Sequence, residues 1–164
     1  MSAKAQIVSD TGPLISLEKL SNDYSFIRQL YDVILVPSAV LLEVAQGQFS
    51  NPHDYLQHYG IADLIEVRNV PISHPLLQTN LLHPGEREAI QLALQLGLPL
   101  LIEETAGRTL AQNLGIHISG IAGQIIKAYR LGLIVRNDAL TMLAELLHAG
   151  RINRKIYTAL VAAV

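Results

Sequence analysis

The chain contains no cysteine. Disulfides, thiolate metal ligands and a cysteine nucleophile are therefore excluded, and carboxylates and six histidines are left as metal donors. Charge is also scarce: 16% of residues are charged and 50% are hydrophobic, a balance that argues against disorder. Mean hydropathy is positive, yet no uninterrupted apolar run reaches the roughly 18 residues of a membrane helix. No membrane association is expected, and the surplus apolar surface suits a homodimer. The start, Met1-Ser2-Ala3-Lys4-Ala5, lacks a signal-peptide core, so a cytoplasmic protein is expected. A basic excess is missing too. The net charge of −2 counts against tight, autonomous binding to nucleic acid, although acids reserved for a metal would themselves lower the pI. The histidines His53, His58, His74, His83, His117 and His148 form no His-x-x-x-His pair and read as surface or connecting residues, with no zinc site. No nucleotide-binding glycine loop occurs, and Ser9, Ser16 and Ser119 lack the context of a nucleophile elbow.

What is present is an alternation of short apolar runs with helical patterns, without internal repeats. At 164 residues a single domain over 1–164 is expected. Strands are predicted at 5–9, 33–36, 65–70 (an edge), 99–102 and 116–119, the second being β-branched and apolar as in a buried parallel strand. Helices are predicted at 13–20, 23–31, from Ser38 to about Gly47, 84–96, 106–113, 121–131, 138–149 and 153–163. Ser38 is the expected cap of the third of these, and Gly97 the stop of the helix that opens at Pro84. Residues 48–60 read as a loop or short helix. This pattern predicts a three-layer α/β/α fold with a central parallel sheet and extra C-terminal helices. Those helices, about 137–164, either pack on the sheet domain or form a dimer contact.

Acids stand just past the apolar runs. Asp10 follows Ala5-Gln6-Ile7-Val8-Ser9, Glu43 lies in the helix after Val33-Ile34-Leu35-Val36, Glu86 follows His83-Pro84-Gly85, and Glu103-Glu104 end Pro99-Leu100-Leu101-Ile102. If the runs are parallel strands, these sites meet near the carboxyl edge of one sheet, where open α/β folds bind ligands. Carboxylates gathered there repel one another, and a divalent cation relieves the repulsion. Each acid also has an ordinary reading. Asp10-Thr11-Gly12 occurs in aspartic proteases, which need a paired aspartate, and invites comparison with aspartyl phosphotransferases, but a capping turn explains it as well. Glu43 fits a solvated helix position, and Glu86 and Glu88 fit the acidic preference of a helix's first turn. Thr105 accounts for part of the Glu103-Glu104 pair as a cap.

In this order the segments Val8-Ser9-Asp10-Thr11-Gly12-Pro13-Leu14-Ile15, Val36-Pro37-Ser38-Ala39-Val40-Leu41-Leu42-Glu43-Val44, His83-Pro84-Gly85-Glu86-Arg87-Glu88-Ala89-Ile90 and Leu101-Ile102-Glu103-Glu104 resemble the PIN-domain superfamily of metal-dependent nucleases. They resemble most a bacterial PIN-like subgroup, over roughly residues 5–160, with Gly115-Ile116-His117-Ile118-Ser119-Gly120, Ala128 and Gly132-Leu133-Ile134 also similar. The resemblance implies a parallel sheet between helices and RNA cleavage with Mg²⁺ or Mn²⁺. Many relatives are toxins neutralised by a small antitoxin protein. It further implies that Asp10, Glu43, Glu86 and Glu104 are the metal-binding, catalytic acids, with Thr11, Glu103 and Glu88 supporting them. The tandem glutamates stand where aspartates are usual.

On that reading Asp10, Glu43 and Glu86 share one metal, and Glu104 with Asp10 a second, roughly 4 Å away as in two-metal sites. Arg87, Arg108 and Lys127 are the basic residues considered for guiding RNA. The alternative is a non-catalytic PIN-like domain that binds nucleic acid or a protein, favoured by the acidic pI and the glutamates at 103 and 104. A third reading docks a partner helix on Leu143, Leu146, Leu147, Tyr157 and Leu160, against ordinary core packing of the same residues.

Overall fold

In the computed structural model, which describes residues 5–164, five short strands form one sheet. They are β1 (Gln6–Ser9), β2 (Val33–Val36), β3 (Ile65–Val67), β4 (Leu100–Leu101) and β5 (Ile118–Ser119). The order across the sheet is β3-β2-β1-β4-β5, and every pairing is parallel. Eight helices connect or follow them: α1 (Thr11–Glu18), α2 (Ser38–Ala45), α3 (Pro52–Tyr59), α4 (Pro84–Leu96), α5 (Thr105–Asn113), α6 (Ile121–Arg130), α7 (Arg136–His148) and α8 (Arg154–Ala162). Residues 1–4, part of the stretch lacking a signal-peptide core, lie outside the described residues. No helix among the described residues is long and apolar enough to cross a membrane.

Burial on both faces explains why the central strands are apolar throughout. Alternate residues serve alternate layers. Ile7, Ile34, Val36 and Leu101 pack with α1, α2, α3, α6 and α7, whereas Val8, Leu35, Leu100 and Ile102 pack with α4 and α5. The three layers predicted from the sequence are thus present. The sheet order reverses between β1 and β4, the two strands whose carboxyl ends carry Asp10 and Glu103-Glu104.

Three local expectations are corrected. Residues 23–31 form turns and a single 3₁₀ turn (Ile27–Gln29), not a helix. Phe26 is buried off the stripe that Tyr24, Ile27 and Tyr31 would share, and Asp23, the first residue of the span, is left-handed (φ 39°) and not helical. The Tyr24 and Tyr55 hydroxyls, 2.7 Å apart, and the bond from Tyr55 to Glu18 Oε2 fasten this segment to α1 and α3. Ser38 does not cap α2. Its backbone N–H instead donates to Asn69 Oδ1 at 2.9 Å, so the cap comes from the chain beyond β3. Thr105 is the first residue of α5, not its cap; that position falls to Glu104, which makes no side-chain capping bond.

The C-terminal helices divide in two. In α7, Ala139, Met142, Leu143 and Leu146 are buried in the core, while α8 buries no residue fully and rests Tyr157, Leu160 and Val161 against it. Leu143 and Leu146 are therefore spent on the core and do not offer a docking surface. Leu143→Ala is expected to destabilise the chain by about 2–5 kcal/mol in chemical denaturation, and Ile156→Ala on the exposed side of α8 by less than about 0.5 kcal/mol. Equal effects would contradict this division.

Candidate functional site

A cleft of about 290 Å³ lies over the carboxyl ends of β1 and β4. Asp10, Thr11, Gly12, Ile15, Glu43, His83, Glu86, Glu103, Glu104 and Arg151 line it. Four regions of the sequence converge there because of the topology. Asp10 ends β1 and precedes α1. Glu43 projects from α2, the helix between β2 and β3. Glu86 sits in the first turn of α4, and Glu103-Glu104 join β4 to α5. A cleft of about 390 Å³ beside α2 and α3 shares Glu43 but gathers no second acid.

Two glycines make this crowding possible. A Cβ on Gly85 would lie 2.8 Å from Glu43 Oε1, and one on Gly107 would lie 2.5 Å from Glu86 Oε2. Only a residue without a side chain lets the carboxylates come so close to α4 and α5.

The acids are held differently. Asp10 is 5% exposed and Glu86 3%. Glu86 Oε1 accepts the His83 backbone N–H at 3.2 Å, while its Oε2 is buried without a hydrogen-bond partner. Glu43 Oε2 accepts the Thr11 hydroxyl at 2.8 Å, which orients the carboxylate toward α1. Glu104 is exposed and makes no side-chain capping bond. One donor atom each from His83, Glu86 and Glu104 lies within 4.8 Å of the others.

Glu103 stands apart. Its Oε1 accepts the Ser16 hydroxyl at 2.7 Å and Arg151 Nη2 at 3.3 Å, and its Oε2 accepts the Ile121 backbone N–H at the start of α6 at 3.0 Å. Arg151, from the turn between α7 and α8, also donates through Nε to Ser16 Oγ and through Nη2 to the Gly12 carbonyl. Glu103 is thus neutralised by a cation, a hydroxyl and a helix N-terminus, and acts as a brace. Glu104 is the member of the pair left for the cleft.

Burial pushes the Asp10 carboxyl up to about 7; the Thr11 backbone contact opposes it, and the charges of Glu86, Glu43 and Glu104 each add a smaller rise. Glu86 is also raised, chiefly by burial, with Glu104 and Glu43 adding repulsion against the lowering contact from His83. Buried acids in mutual repulsion, one with an orphaned oxygen, fit a divalent cation: oxygen donors are plentiful and negative charge is in excess.

Of the sequence-predicted residues, Asp10, Glu43, Glu86, Glu104, Thr11 and Glu103 meet in this cleft, and Glu88 does not. Two residues along a helix is more than half a turn, so Glu88 points away from Glu86's direction. The basic residues considered for guiding a substrate are also elsewhere. Arg87 donates to the Thr79 carbonyl, Arg108 to the Ile102 carbonyl, and Lys127 to the Tyr31 hydroxyl. Sequence reasoning missed His83 and Arg151. The Pro84 step beside Glu86 marked His83 as a helix-entry residue, but nothing local marked Arg151.

Residues 6–164 match the model of the DUF3368 family, described as a PIN domain. A PilT N-terminus domain protein from the hyperthermophilic archaeon Sulfolobus solfataricus shares the fold, with a TM-score of 0.50 and 17% sequence identity over 71% of this chain and 86% of that one. No curated protein matches the sequence.

The raised Asp10 carboxyl links stability to pH. Its folded-state value, about 7, lies above the ordinary 3.8. The folded chain therefore holds a proton that the unfolded chain releases, and this group's contribution to stability falls as pH rises from about 4 to 7. In a chelator, Asp10→Asn is expected to lose less thermal stability than the parent between pH 5 and pH 8. Divalent metal at pH 8 should restore the parent more than the variant. Superimposable pH profiles would contradict the assigned burial and repulsion.

Proposed function

Because this chain belongs to the PIN-domain family, whose members are generally nucleases, we propose that it is a metal-dependent endoribonuclease that hydrolyses RNA phosphodiester bonds. The observation that carries the proposal is the convergence of Asp10, Glu43, Glu86 and Glu104 on one cleft, with Glu86 Oε2 buried and unpartnered. These four acids would hold Mg²⁺ or Mn²⁺. When bound, such an ion supplies Lewis-acid polarisation of the phosphodiester and lowers the pKa of a bound water.

The chain's own groups have distinct tasks. Asp10, raised to about 7 by burial, becomes a full carboxylate above neutral pH or beside a cation, and burial raises Glu86 in the same direction. Thr11 fixes the rotamer of Glu43 through its hydroxyl. Arg151 pairs with Glu103 and so cancels one of the negative charges that an incoming phosphodiester would meet. Of the four acids Glu104 is the exposed one, so a substrate would meet the site from its side.

The resemblance of the acid motifs to bacterial PIN-like proteins extends the proposal to a cytoplasmic toxin held in check by a small antitoxin protein. A second reading, a non-catalytic PIN-like domain that binds nucleic acid or protein, is favoured by one observation: Glu103 is consumed by Ser16, Ile121 and Arg151.

Cleavage of single-stranded RNA with Mn²⁺ or Mg²⁺ separates the readings. Glu86→Gln and Glu104→Gln are each expected to reduce cleavage roughly a hundredfold, and Glu88→Gln to leave it unchanged. Cleavage that survives both of the first two substitutions would overturn the assignment. Metal binding without cleavage would favour the non-catalytic reading.

A further inference from the structure

We propose that His83 is a metal ligand, and that its nitrogen makes the site prefer a first-row transition ion, with Mn²⁺ as the probe, over Mg²⁺. The inference rests on the metal-dependent reading above and adds a donor that acid motifs do not contain.

Three observations carry it. First, a ring nitrogen of His83 and one carboxylate oxygen each of Glu86 and Glu104 lie within 4.8 Å of one another, a separation that one ion can bridge after small side-chain movements. Second, Glu86 is 3% exposed, and one of its two oxygens lacks any hydrogen-bond partner. A buried carboxylate oxygen in that state calls for a positive partner, and His83 stands beside it. Third, His83 is fixed at its root. It occupies the residue before α4 with extended backbone (φ −66°, ψ 152°), is followed by Pro84, and donates its backbone N–H to Glu86 Oε1. The imidazole is thereby anchored to the acid it would share the ion with, although the ring itself reaches solvent.

The ordinary reading of an exposed histidine before a helix is a surface cap. The His83 side chain does accept the Glu86 backbone N–H as half of a capping box, but that bond uses one ring nitrogen and leaves the other for an ion. The chemistry then decides the ion. Mg²⁺ demands oxygen donors in near-ideal octahedral geometry and keeps much of its water, whereas imidazole nitrogen suits first-row transition ions. One nitrogen among several carboxylates shifts selectivity away from Mg²⁺ without excluding it.

Pulsed EPR of the Mn²⁺-bound chain tests this without an activity readout. A ¹⁴N coupling to the manganese is expected in the parent and should vanish in His83→Gln, which keeps the backbone donor to Glu86. The Mn²⁺ dissociation constant should rise roughly tenfold in that variant, while the Mg²⁺ constant, read by competition, moves less than about twofold. Tight Mn²⁺ binding with no ¹⁴N coupling in the parent would overturn the His83 assignment and leave the nuclease reading standing. Equal weakening of both ions would overturn the selectivity. No Mn²⁺ binding at all would remove both readings together.

Discussion

Carboxylates forced together in a poorly hydrated cleft cannot all remain charged without a counterion. That constraint organises this molecule. Asp10 and Glu86 lie at the bottom of the cleft, and burial together with neighbouring acids raises both. The structure answers part of the repulsion itself: Arg151 and the start of α6 neutralise Glu103, and Thr11 engages Glu43. Nothing among the described residues engages Glu86 Oε2. The remaining charge is what a divalent ion would balance.

The fold creates this situation through topology. The order β3-β2-β1-β4-β5 places the carboxyl ends of β1 and β4 side by side at the point where the strand order reverses, so Asp10 and Glu104 meet although they are far apart in sequence. The start of α4 brings Glu86 to the same cleft, with Gly85 and Gly107 leaving room for carboxylates where any side chain would intrude. The C-terminal helices, which fall outside the β-α alternation, are joined to this arrangement. α7 completes the core, and the turn after it delivers Arg151 to Ser16, Gly12 and Glu103. A segment that looks like an appendage therefore helps decide which of two adjacent glutamates is left unpaired in the cleft.

How much of this could be read from the sequence follows from how local each signal is. The β-branched run at 33–36 and the apolar run at 99–102 announced buried strands, and Pro84 with Gly97 framed α4, because each signal sits within a few residues. The helix expected at 23–31 failed because Phe26 is buried off the stripe that Tyr24 and Ile27 would share, and because the Tyr24 hydroxyl is fastened to that of Tyr55. Ser38 misled for a similar reason, since Asn69 supplies the capping oxygen from another strand connection. The acids Asp10, Glu43 and Glu86 could be singled out by their order along the chain, yet the different fates of Glu103 and Glu104 could not. Those depend on Arg151, nearly fifty residues away in sequence, and no spacing rule connects them. Glu88 was included by proximity in sequence alone, and helical geometry turns it away from the cleft.

The central claim is that these acids form one cation site. Crystals soaked in Mn²⁺, with anomalous differences measured near the manganese edge, test it most directly. A peak bounded by Asp10, Glu43, Glu86 and Glu104 is the expected result. A fully occupied manganese elsewhere on the surface, with no density in this cleft, would contradict it.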